Sequence, residues 1–484
     1  MTSYLGVDLG TTAVKAVVLA PDGTVLARSR APHPHARAVG RGRVNPTAWI
    51  SSIEAACRAL GPAASTVSGV GLSVHSPSAL LYDRAGVALA DGITWDHPGL
   101  PAVVAELAAL RTDDEAVLAG NRPFPATMMA AAYRLFVEHE PAALDAAFEF
   151  GMVGSWLGRW LTGESALDPT QASFTGIFAA DGSMRWLDEL ARRAGIRTSL
   201  LPRLLPSLSR CGEVLTAPAQ RLGIPAGIPL VTGSADTPAA AFALGIGPQG
   251  PPLLTIGTTH VLTSCSTSRS LSSPALQRAD VRTGRWLING VTNGGDALAA
   301  ATRILGFESV DALIAEAMQV TPELAEDAPI FLPHLMPERG PLWLAEPCGS
   351  LQGLTVKTTR AATAWSVLEG VAFADRLVAE ACVPRARTEL YLAGVFRGHE
   401  AVPQLLADAL GCTIRLVDDG DLSAIGAAAM AAETIAGAPI SAPPARTIPP
   451  RPEWAGLLER RWESFRRHWE RSTGQRVSVL GSRP

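Results

Sequence analysis

At 484 residues the chain exceeds what one hydrophobic core ordinarily spans, so two domains are expected. With 47% hydrophobic and 18% charged residues it has a globular composition, and a net charge of -4 leaves no electrostatic footprint for nucleic acid or an anionic membrane. The six cysteines are scattered without a C-x-x-C pair, which speaks against zinc and disulfide frameworks and for a reducing compartment.

A strand pattern begins directly after Met1-Thr2-Ser3, leaving no room for a signal peptide. No apolar run reaches the roughly 18 residues of a membrane span. A cytoplasmic protein is expected. Residues 4–8, 14–20 and 25–30 read as a three-stranded meander, turned at Gly10-Thr11-Thr12 and at Pro21-Asp22-Gly23. A helix follows with Asn45 as cap and Pro46 at its first position, placing Trp49, Ile53, Ala56 and Leu60 on one face. Residues 70–74 return as a strand, so a mixed sheet covered by helices is expected.

Residues 244–252, LGIGPQGPP, break every period and read as a hinge, dividing the chain into domains 1–246 and 247–484. Just beyond it the opening arrangement recurs: an apolar strand, the turn Gly257-Thr258-Thr259, and a second strand from residue 261. Two copies, one heading each half, imply that the halves share a plan.

A Gly-Thr-Thr hairpin can wrap a phosphate, because glycine admits close approach and the turn leaves N–H donors free. Asp8, at the end of the preceding strand, has the hard oxygen ligands that Mg²⁺ takes. The same letters also describe an ordinary hairpin whose threonines satisfy their own backbone. Other nucleotide folds fail. The only lysines, Lys15 and Lys357, each follow valine, so there is no P-loop. Residues 245–250 spell a dinucleotide fingerprint, but Pro248, Pro251 and Pro252 forbid its helix, and protein-kinase signatures are absent.

Residues 230–244, LVTGSADTPAAAFAL, read as a strand ending near Thr232, a Gly-Ser-Ala turn, and a helix from about Thr237-Pro238. Asp236 at that junction is either a helix cap or a base for a substrate hydroxyl.

These blocks together resemble the FGGY carbohydrate kinases of the actin-like superfamily, xylulose kinase-like members above all. LGVDLGTTAVKAVVL (residues 5–19) is similar to the family's first phosphate loop and GIPLVTGSADTPAAAFALG (227–245) to its catalytic-aspartate segment. TIGTTHV (255–261) resembles the second phosphate loop. FLPHLMPERGP (331–341), GSLQGLTVKTTRAATAWSVLEG (349–370), QLLADALGCTI (404–414) and DLSAIGAAAMA (421–431) match later family blocks in order, so the likeness covers residues 4–475.

The resemblance implies two ribonuclease H-like α/β domains with mixed sheets and a cleft holding ATP, Mg²⁺ and a small sugar or polyol, in an enzyme that is often homodimeric. It implies Asp236 as general base and Asp8 with Asp236 at the metal. ATP falls to Gly10, Thr11, Thr12, Lys15, Gly257, Thr258, Thr259, Gly294, Gly295, Gly394, Val395 and Phe396. The acceptor falls to Val74, His75, Trp95, Asp96 and Thr237, with a ketopentose such as xylulose as the substrate. Three departures stand out. Val395 and Phe396 occupy positions of an adenosine loop that is glycine in relatives, where the side chains either crowd the nucleotide or, for Phe396, stack on adenine. Trp95-Asp96-His97-Pro98-Gly99 lacks the family's arginine, and Tyr133 and Phe136 replace a lysine and a tryptophan. The rival acceptor, a sugar acid, calls for a cation in the pocket, and none is evident from the sequence. A rival of another class is a catalytically weak sugar- or nucleotide-binding module.

Overall fold

The computed structural model describes residues 2–33, 42–119, 129–269, 274–383, 388–394, 400–437 and 439–476. In the first half, the buried strand Tyr4–Leu9 pairs antiparallel with Ala13–Leu19, which pairs with Val25–Pro32. Its other edge takes Val70–Val74 in parallel, then Pro229–Ala235 in parallel, and the antiparallel strand Arg210–Glu213 closes the sheet. The second half repeats the order. Leu253–Ile256 pairs antiparallel with His260–Ser266, and that strand with Trp286–Thr292. Glu389–Gly394 and Thr413–Val417 follow in parallel, and Ala445–Ile448 forms the antiparallel edge. Among the described residues, one strand, Leu276–Ala279, extends the second sheet to seven and has no counterpart in the six-stranded first. The shared plan inferred from the two Gly-Thr-Thr turns is therefore real at the level of strand order.

Local signals set several elements. Asn45 accepts the Thr47 N–H and caps the helix Pro46–Ala59, whose Trp49, Ile53 and Ala56 are buried against the first sheet. One boundary differs from expectation. The strand read as ending near Thr232 runs on to Ala235, and the helix Asp236–Ala243 starts at once. Gly233 makes a bulge rather than a turn. Its φ is +79°, a Cβ there would lie 2.2 Å from Leu72 O, and parallel pairing resumes at Ser234 with Ser73.

The two halves meet through small residues. The helix Leu422–Ala436, late in the chain, lies on the first sheet so closely that a Cβ on Gly6 or Gly71 would stand 1.9 Å from Ala424 O or Ala427 O. Against the helix Asp236–Ala243 the same holds for Gly426 and Ala239 O, also at 1.9 Å. These contacts belong to one core that contains Val17, Val231, Leu253, Leu287 and Val417 from both sheets.

A small sheet of Arg43–Val44, Gly92–Thr94, Ser78–Tyr82 and Glu149–Met152 forms a lobe on the first half, with its own core. Tyr133 and Phe136 lie in that core, both rings edge-on to Phe150. In the second half the long helices Arg360–Cys382 and Pro452–Thr473 are joined by the buried pair Arg461–Glu369, bidentate at 2.6 Å for each bond.

Candidate active site

Three parallel strands end together, and their register aligns the chemistry. Leu9 pairs with Val74, and Val74 with Ala235, so the first Gly-Thr-Thr turn, His75 and Asp236 emerge side by side at the carboxyl edge of the sheet. That edge is where open α/β sheets hold ligands. The His75 N–H donates to Leu9 O at 2.9 Å, tying two of the three exits. Thr11 and Thr12 stand exposed at the turn.

Asp8 is buried and accepts one hydrogen bond, from Ser73 Oγ at 2.7 Å. Burial pushes its pKa up to about 7; Ser73 opposes the shift and the charge of Asp236 adds to it. Asp236 is also raised by burial, with the positive charge of Arg278 working against the shift. Its Oδ1 accepts the Thr237 N–H at 2.6 Å, and the Thr237 hydroxyl lies 3.3 Å away. The helix cap position belongs to Ala235, so Asp236 is the first residue of the helix and its carboxylate stands in the field of Asp8.

His75 is 2% exposed, its Nδ1 lies 3.1 Å from Ser78 Oγ, and its ring meets Trp49 edge-on at 5.0 Å. Its Nε2 is buried and, among the described residues, without a hydrogen-bond partner, and burial lowers the pKa to about 4, so the ring is neutral. Asp96, held by the Thr94 hydroxyl at 2.6 Å, lies within electrostatic reach of His75, and Trp95 is 43% exposed. The Val74 side chain, by contrast, is spent in the first-half core, which leaves its backbone alone for a ligand.

The second half presents Gly257-Thr258-Thr259 beside Gly394, because Ile256 pairs with Gly394 in parallel. Gly394 has φ +125°, and a Cβ there would stand 1.9 Å from Ile256 O. Val395 and Phe396 lie outside the described residues. Gly294 opens the helix Gly294–Ile304, whose start packs on the turn: Asp296 N–H donates to Thr258 O at 3.0 Å, and a Cβ on Gly295 would stand 1.9 Å from Gly257 O. Behind the turn, His260 Nδ1 pairs with buried Asp375 at 2.9 Å. Lys15, read as an ATP contact, donates from Nζ to Gly420 O at 2.7 Å and lies 3.6 Å from Asp421, both in the second half.

Sequence reasoning missed two features. One is a relay behind the aspartate: buried Asp168 accepts from the Thr170 hydroxyl at 2.5 Å, and that oxygen accepts the Ala235 N–H at 2.8 Å. The Asp-Pro-Thr spacing, a helix cap signal, was its only trace. The other is a cation. Arg278 is 8% exposed, and its charge acts on both Asp236 and Asp168. The sequence made no such cation evident. Arg278 arrives from the extra strand of the other half, which no local pattern connects to Asp236.

The sequence and fold agree with known proteins. Family models for the N-terminal and C-terminal domains of the FGGY family of carbohydrate kinases match residues 3–243 and 254–434. The chain belongs to that family. It is 30% identical over 446 residues to a xylulose kinase of Klebsiella pneumoniae, covering 88% of this chain and 89% of that one. It is 25% identical over 450 residues to a gluconokinase of Bacillus subtilis, covering 88% of this chain and 86% of the relative. A crystal structure of a xyloylose kinase from Brucella ovis superposes with a TM-score of 0.87 at 26% identity, covering 97% of this chain and 99% of that chain. This FGGY kinase is thus an enzyme of two actin-like α/β domains. Among the described residues, no helix is long and apolar enough to cross a membrane.

Proposed function

We propose that this carbohydrate kinase transfers the γ-phosphoryl group of ATP to a hydroxyl of a ketopentose such as xylulose, with Asp236 as general base. The observation that carries the reading is the juxtaposition of Asp236, Asp8 and the unpartnered Nε2 of His75 at three adjacent strand ends. A buried nitrogen without a partner costs free energy until a ligand hydroxyl meets it. A carboxylate beside that hydroxyl takes its proton as the oxygen attacks phosphorus. Only the ionised form of Asp236 does this, and burial raises its pKa, so kcat/KM should fall as pH drops through that raised value.

The two Gly-Thr-Thr turns supply backbone donors for the phosphates from both halves, with Gly295 shaping the second. The acidic pair Asp8 and Asp236 fits Mg²⁺, which keeps most of its waters and takes one or two carboxylates beside substrate phosphates. When bound, such an ion neutralises phosphate charge. We place the enzyme in the cytoplasm on its six free cysteines, five of them buried. A sugar acid is the second reading, favoured by the positive charge of Arg278 near Asp236.

The test is ATP consumption over a panel of ketopentoses, polyols and sugar acids, for wild type and Asp236→Asn. The asparagine variant should lose about 10²–10⁴-fold in kcat while still binding ATP. Full turnover in that variant would return Asp236 to a structural role.

A further inference from the structure

Arg278 lies on the strand Leu276–Ala279 of the second sheet, which among the described residues has no equivalent in the first. That strand sits against the first half: Ala279 N–H donates to Ser173 Oγ at 2.9 Å, and the Arg278 guanidinium lies 4.1 Å from the centre of the Phe174 ring. Trp286 of the neighbouring strand donates its indole N–H to Ala180 O at 3.0 Å, fixing the same seam. The arginine is thus held over first-half residues while its backbone belongs to the second.

Its electrostatics are unfinished. Nε and Nη1 are buried and, among the described residues, have no hydrogen-bond partner. A guanidinium carries only donors, so its partner must be an acceptor oxygen. Burying such a charge unpaired is costly. Neither nearby aspartate supplies an acceptor to it. Asp168 already receives Thr170 N–H, the Thr170 hydroxyl, Gln171 N–H and the Gln171 side-chain amide. Asp236 is turned to Thr237, and Arg278 forms no ion pair with either carboxylate, though both hold its charge in place through space. Burial lowers the arginine's pKa only to about 10, so it stays protonated at neutral pH.

We propose that Arg278 is an acceptor-specificity residue lent by the C-terminal half, and that it receives an sp² oxygen of the phosphoryl acceptor. That oxygen is the carbonyl of a ketose or the carboxylate of a sugar acid. The inference rests on the kinase reading above and deepens it. An sp² oxygen brings two lone pairs and no proton of its own to place, which suits a donor-only group in a dry site. The acceptor would then touch both halves, His75 and Asp236 on one side and Arg278 on the other, so its binding would draw them together.

The experiment is steady-state kinetics of wild type, Arg278→Gln and Arg278→Lys with a ketopentose, the matching pentitol and an aldonate, alongside KM for ATP. Glutamine should raise KM for the sp² acceptor by about tenfold or more, leave KM for ATP unchanged, and shrink the preference over the pentitol. Lysine, a point charge without the fork, should restore only part of it. Whichever of ketose and aldonate wild type prefers identifies the source of the oxygen. An unchanged acceptor KM overturns the proposal. So does a loss confined to kcat with a shifted pH profile, which would make Arg278 the counter-ion of Asp236. If wild type phosphorylates none of the three, the kinase reading fails separately. Thermal-shift binding of the same three acceptors, wild type against Arg278→Gln, then decides Arg278: equal binding overturns it.

Discussion

Thr170→Val removes a single oxygen from the relay that fixes Asp236. That hydroxyl donates to Asp168 Oδ1 at 2.5 Å and accepts from Ala235 N–H at 2.8 Å. Ala235 is fully buried, so in the variant its N–H has neither a protein partner nor water, a loss of about 1–3 kcal/mol. Asp168 keeps both backbone donors and the Gln171 amide, so its charge remains covered and it forfeits one charge-assisted bond. The two losses share one atom and do not add in full, giving about 2–4 kcal/mol in total. Valine fills the same volume, so no cavity term enters. Ala235 directly precedes Asp236, the proposed base, and a base displaced by about 1 Å loses up to about a hundredfold in rate. Urea denaturation should show the stability loss, and steady-state assays should show kcat down by about tenfold to a hundredfold with KM for ATP unchanged. Thr170→Ser keeps the oxygen and should behave like wild type. A valine variant that is destabilised yet turns over normally would refute the relay as a positioning device.

Gly295→Ala puts a Cβ 1.9 Å from Gly257 O and 3.0 Å from Thr258 Cα, so the second phosphate turn must shift. KM for ATP should rise clearly while stability falls by about 1–3 kcal/mol; an unchanged ATP KM would separate Gly295 from the nucleotide. His75 predicts an acid limb. Its folded pKa, about 4, lies below the usual 6.5, so stability from the neutral ring is complete above 6.5 and lost as pH falls toward 4. The limb is worth about 3 kcal/mol at most. His75→Gln should flatten that part of the curve in denaturant titrations between those values, and an identical curve would contradict the buried neutral ring. Arg461→Met strands Glu369 in the second-half core, where Arg461 also donates to Ala328 O and Pro329 O. Breaking one side of such a pair costs about 3–5 kcal/mol, and Glu369→Gln combined with Arg461→Met should recover part of it.

Wherever a feature depends on near neighbours in the chain, the sequence alone determined it. Asn45-Pro46 starts a helix because a side-chain oxygen and a preset φ act within one turn. The two Gly-Thr-Thr hairpins, the strands around them and the position of Asp236 at a strand-to-helix junction were legible for the same reason. Where glycine served packing instead of turning, local reading went astray. The local pattern reads Gly233 as opening a turn after Thr232, yet it lets the strand bulge past Leu72 O and continue to the residue before Asp236.

Only the tertiary structure decided what crosses between halves. Lys15 is drawn to Gly420 and Asp421, more than four hundred residues later in the chain. Tyr133 and Phe136, departures from the family signature, are spent in the core of the lobe around Phe150. Nothing in LQRA singles out Arg278, yet a seam between halves buries it over Phe174, within electrostatic reach of Asp236. Propensity and periodicity act over a few residues. Desolvation and Coulomb energy act over ångströms of space, and a sequence does not order its residues by distance.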